Sequence, residues 1–141
     1  MSEQTFEELF NNDMRLAWLE IGGYVAAADG LSNEEAESLA GSAAGPDLPV
    51  ETCMASIQKG SNHASLPEDT VDVAKGSDIY IQLQCLSEIF SATGTDGVSD
   101  PEWARMSEVA TSILGAEKSA AFIKVCELEL QLDEARAVLL R

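Results

Sequence analysis

"DGLSNEE" at residues 29–35 and "DGVSDPE" at residues 96–102 write one pattern twice, 67 residues apart. In each copy a glycine, Gly30 or Gly97, can take the positive φ that ends a helix, and an aliphatic residue, Leu31 or Val98, can plug the corner. Ser32 or Ser99 is then placed to cap the following helix. Glu35 or Glu102, three residues further on, completes the spacing of a capping box. The heptad predicts helix, tight turn, helix. The register also runs past the turn: a shift of 67 lays Ala36 on Trp103, Leu39 on Met106 and Ala43 on Ala110, so the core face behind each turn repeats.

Working outward, Phe6, Phe10, Met14, Ala17, Ile21, Val25 and Ala28 recur at intervals of three and four, the stripe of a helix with one buried face. Thr5 and Glu8 have capping-box spacing at its start, and "NND" at residues 11–13 marks a break or kink. Gly22 and Gly23 inside this helix point to a close helix contact. A short helix carrying Ala36, Leu39 and Ala43 follows, with Gly45 suited to a left-handed C-terminal position and Pro46 barring continuation. Pro49 opens a third helix through about Gln58, and "KGSNHAS" is a polar loop. Ser65, Pro67 and Glu68 predict another capped start, and that helix stops at Gly76. Ile79, Leu83, Leu86 and Phe90 outline a long helix into the second heptad, and Trp103, Met106, Ala110 and Ile113 outline the helix after it. At the end, "ELELQL" alternates like a strand, but Leu128, Leu132, Ala135 and Leu139 keep helical spacing. The expectation is an all-α, single-domain bundle of about seven helices over residues 1–141, built from pseudo-symmetric halves near 5–60 and 66–141.

Composition bounds the function. With 141 residues and 45% hydrophobic residues the chain can bury a core without staples. Its formal charge of −17 disfavours nucleic acid and anionic membrane surfaces as direct partners, and favours cations and basic protein surfaces. Cys53, Cys85 and Cys126 are odd in number and widely spaced, which argues against a disulfide framework or a zinc knuckle and for core packing in a reducing compartment. No signal peptide or membrane-length apolar run is present, so the expected location is cytoplasmic, without membrane insertion. The lone His63 has no second histidine to complete a zinc set, and no phosphate loop or nucleophile elbow can be assembled; an enzyme is not expected.

Turn chemistry explains every heptad position but the first. Asp29 and Asp96 precede the glycine at a helix C-terminus, where the macrodipole disfavours negative charge by roughly 0.3 to 1 kcal/mol. Two readings stand: the aspartate hydrogen-bonds amides across the turn, or it binds a cation with the glutamate of its heptad. In the second reading the two turns meet, and Asp29, Glu35, Asp96 and Glu102 form one site with Glu34 and Asp100 nearby. Oxygen ligands alone suit Ca²⁺ or Mg²⁺, in a spacing unlike that of an EF-hand.

These residues carry a resemblance. "AAADGLSNEEAESLA" at 26–40 and "SATGTDGVSDPEWARMSEVATSILG" at 91–115 resemble the two halves of the TerB-like tellurite-resistance family, over about residues 16–130. The resemblance implies an internally duplicated helical bundle, a cytoplasmic location, a part in resistance to tellurite and other toxic agents, metal binding by the acids of the motif, and action through protein partners, some at the membrane. By position those acids are Asp29, Glu35, Asp96 and Glu102. The family usually has one more residue between the glycine and the aliphatic position than either copy here. The alternative from the residues is an acidic interaction module, adaptor or co-chaperone-like, whose Asp-Gly turns are structural only.

Overall fold

The computed structural model describes residues 10–93 and 98–141 of the chain. Among them the backbone forms seven α-helices and no strand: α1 (Asn12–Ala26), which runs into a 3₁₀ turn (Ala27–Asp29), α2 (Asn33–Ala43), α3 (Val50–Ser61), α4 (Glu68–Lys75), α5 (Ile79–Thr93), α6 (Asp100–Leu114) and α7 (Ala116–Leu139). The all-helical class and most element starts agree with the periodicity. Residues Thr5, Phe6, Glu8, Asp96 and Gly97, on which several expectations fall, lie outside the described residues.

α1 is the central element, buried without interruption from Ala17 to Ala26, because its sequence there is apolar at every position but Glu20. The predicted break at residues 11–13 is a helix start: Asn11 caps α1, its side-chain oxygen accepting from Met14 N–H at 3.0 Å. α3 packs along α1 in the antiparallel sense with almost no side chain between them. A Cβ on Gly23 would stand 2.1 Å from the Ile57 carbonyl oxygen, and one on Gly60 would stand 1.8 Å from that of Glu20. Gly23 makes the close contact expected of the glycine pair. Its reciprocal partner, Gly60, was not foreseen.

Around this pair α4 and α6 also cover α1, α2 packs on α3 and α5, and α7 packs on α6. Trp18 Nε1 donates to Ser77 Oγ at 3.3 Å, tying the α4–α5 corner to α1, and Phe90 meets Trp103 with ring centroids 5.8 Å apart. Cys53, Cys85 and Cys126 are free and buried, and burial pushes the Cys85 and Cys126 thiols up to about 12, so all three act as small hydrophobes.

Two turn expectations are corrected. Gly45 does not have positive φ; α2 ends on Ala44 in an extended conformation, and the chain turns through a bridge between Gly45 and Leu48. The Ser65–Glu68 capping box does not form. Pro67 takes the N-cap position and holds it with no side-chain bond, leaving Ser65 two residues too early to reach the first turn.

Candidate functional site

Both heptad capping boxes exist. In the first, Glu35 N–H donates to Ser32 Oγ at 3.1 Å and Ser32 N–H donates to Glu35 Oε1 at 3.1 Å; in the second, Glu102 N–H donates to Ser99 Oγ at 3.3 Å and Ser99 N–H to Glu102 Oε1 at 2.9 Å. Gly30 has φ +85°, the left-handed turn that glycine alone takes cheaply. The turn at Ala27–Asp29 packs on α6, the helix opened by the second box.

That packing brings acids from both turns within electrostatic reach. Glu102 is 3% exposed and Glu35 8%, whereas Asp29, Glu34 and Asp100 are exposed. Burial pushes the Glu102 carboxyl above the usual carboxylate range; the Ser99 bonds oppose this, and the negative charges of Glu35 and Asp29 add to it. Asp29, Glu35 and Glu102 therefore share one field, while Asp96 lies outside the described residues.

The donors at the two turns are carboxylate oxygens, the ligand type that hard cations take. Each glutamate spends Oε1 on its box, and no hydrogen bond among the described residues reaches either Oε2. Every fully enclosed side-chain oxygen among those residues has a partner, so these two Oε2 atoms touch solvent. Among the described residues no three His, Cys, Asp or Glu side chains are close enough to hold a metal ion by themselves. Glu35 and Glu102 thus each keep one carboxylate oxygen that no protein group among the described residues occupies.

A second buried carboxylate belongs to α1 itself. Glu20, 6% exposed, sits beneath α3 and α4: its Oε2 accepts from Thr70 Oγ1 at 2.6 Å and lies 2.9 Å from His63 Nε2, and its Oε1 is 3.4 Å from Lys59 Nζ. Burial opposes its charge, yet Thr70, His63 and Lys59 together outweigh burial and hold the carboxyl below its ordinary value. His63 is thus a polar anchor for a core acid, where the sequence suggested only a loop histidine. A signal existed: Glu20 is the one acid inside the apolar run "LAWLEIGGYVAAA" at residues 16–28, an acid at a core position that needs partners.

Further along α1, Tyr24 donates its hydroxyl to Glu108 Oε1, and Arg105 lies 4.4 Å over its ring while donating to the Tyr24 carbonyl at 2.6 Å. Burial, then Glu108, push the phenol up to about 12. No helix of the described residues is long and apolar enough to cross a membrane. No protein-family model, curated protein or solved structure matches the chain.

Proposed function

We propose that the chain is a non-enzymatic, TerB-like cytoplasmic protein of the tellurite and toxic-agent stress response, acting through protein partners and binding a divalent cation, Ca²⁺ or Mg²⁺, between its two Asp-Gly turns. Pseudo-symmetric halves would supply Asp29 and Glu35 from one side and Asp96 and Glu102 from the other. The observation that carries the cation is the Glu102 carboxylate, buried against the charges of Glu35 and Asp29. A cation there would relieve repulsion that no basic side chain relieves, and the solvent-facing Oε2 atoms would be its ligands.

Thermal melting in Ca²⁺, Mg²⁺ or Mn²⁺ against chelator tests the site. An ion at 100 times its dissociation constant should add ~2.7 kcal/mol, and Asp29→Asn with Asp96→Asn should abolish the gain. No shift with any ion, or a shift unchanged in the double variant, rejects the assignment. Stress resistance is read separately, as loss of tellurite tolerance on deletion in the host.

A second reading is favoured by the two complete capping boxes, which already give Glu35 and Glu102 a structural task. Then the turns are structural and the acidic surface docks a basic partner. Association would weaken with salt and ignore metal.

A further inference from the structure

α7 has two apolar faces, and the body covers only one. Ser119, Phe122 and Cys126 are buried in the packing of the helix on α6. Ala121, Val125, Leu128, Leu132, Ala135 and Leu139 form a second stripe, spaced four, three, four, three, four. At 100° per residue these six fall within an arc of about 80°, centred roughly 130° around the helix from the buried face. Val125, Leu128 and Leu132 are 50%, 51% and 49% exposed, and Leu139 is 83% exposed. The spacing is that of alternating d and a positions in a coiled-coil heptad, with Val125, Leu132 and Leu139 at a and Leu128 at a central d.

Charge says what covers this seam. Residues 116–141 hold four basic and five acidic residues, whereas the preceding 115 hold four and twenty. The seam therefore lies on a near-neutral segment of a strongly acidic chain, where a like copy meets little local repulsion. Its flanks are self-complementary. Lys124 occupies a g position and Glu129 the e position of the next heptad, so two parallel, in-register helices place each Lys124 beside the Glu129 of the other copy. An antiparallel pairing of the same seam would set Glu129 against Glu129. Lys124 is exposed and, among the described residues, makes a 4.0 Å contact to Glu127, so it can turn to the other helix.

We propose that α7 is a self-association element, through which two copies of this chain pair as a parallel two-stranded coiled coil along Val125, Leu128, Leu132 and Leu139. The seam is under three heptads long, so pairing is reversible and concentration-dependent.

Sedimentation equilibrium of the full chain, across the micromolar and into the millimolar range, tests this. The wild type should pass from monomer to dimer mass, and Leu128→Glu with Leu132→Glu should stay monomeric with unchanged far-ultraviolet circular dichroism, since both side chains are half-exposed. Lys124→Glu should weaken the dimer about tenfold by replacing two attractions with two repulsions. Adding Glu129→Lys to Lys124→Glu should restore it. A wild type that remains monomeric, forms trimers or larger species, or still dimerises with both leucines replaced would overturn the proposal, as would failure of the charge swap to restore pairing.

Discussion

Glu20 and Glu102 are the same residue type, nearly equally hidden, on two helices of one bundle, and their surroundings push them in opposite directions. Glu20 is met by a hydroxyl, an imidazole and an ammonium brought from α3, the following loop and α4. Glu102 is met by the amide and hydroxyl of its own cap and, beyond them, by two more acids. Burial alone therefore does not say what a carboxylate is for; the sign of its neighbours does. The first is a completed structural cluster, and the second is left among like charges.

The largest break in this contrast should come from Gly60→Ala. Its Cβ has backbone, not a flexible side chain, in its way, so α3 must move off α1 and carry Lys59 and His63 from Glu20. A cost of about 3 kcal/mol is expected, seen as a fall of about 10 °C in thermal melting. An unchanged melt would mean that the two helices do not meet backbone to backbone.

The sharper comparison is one substitution made twice. Glu20→Gln removes the charge that three partners serve and should cost about 2 kcal/mol in urea unfolding. Glu102→Gln keeps an oxygen for the capping box but removes the repulsion, and should be neutral or stabilising by up to about 1 kcal/mol. Equal losses from the two would show that their environments do not differ in sign.

The pH dependence follows with opposite signs. The folded pKa of Glu102 is raised, so its contribution is fully present below the unfolded value and is lost as pH rises through the folded one. The folded pKa of Glu20 is lowered, so its contribution is present above the unfolded value and is lost as pH falls through the folded one. Stability by urea unfolding should rise modestly as pH falls from neutral toward the carboxylate range, then drop below it. Glu102→Gln should flatten the rise and Glu20→Gln should blunt the drop.

Smallest of these effects, Tyr24→Phe should cost about 1 kcal/mol by loss of the bond to Glu108. Tyr24 lies one turn beyond Glu20 on α1 and reaches the helix that holds Glu102, so this variant also asks whether the two acids communicate. An unaltered Glu102→Gln effect in the Tyr24→Phe background would mean that they act independently.

The local parts of this picture were legible in the sequence. Both heptads show the Ser-x-x-Glu spacing that becomes two real caps, because capping is decided within four residues. Ser65 and Glu68 had the same spacing and failed, because a proline took the cap position. What distance along the chain hides is the partner: Glu20 is 43 residues from His63 and 50 from Thr70, and nothing short-range joins them. The aspartate is the residue that turn chemistry leaves over, yet the heptad acids that folding buries are Glu35 and Glu102, the two that hold the capping boxes. Likewise the spacing of Leu128, Leu132, Ala135 and Leu139 revealed a helix without telling which face meets the body.

The three buried cysteines make the chain a self-reporting ruler of its own opening. They sit on α3, α5 and α7, each on a differently anchored helix. Among the described residues α7 packs chiefly on α6, while α3 is locked against the centre. Under mild denaturant Cys126 should be alkylated first and Cys53 last, so that counting added labels by mass gives the order in which the molecule comes apart.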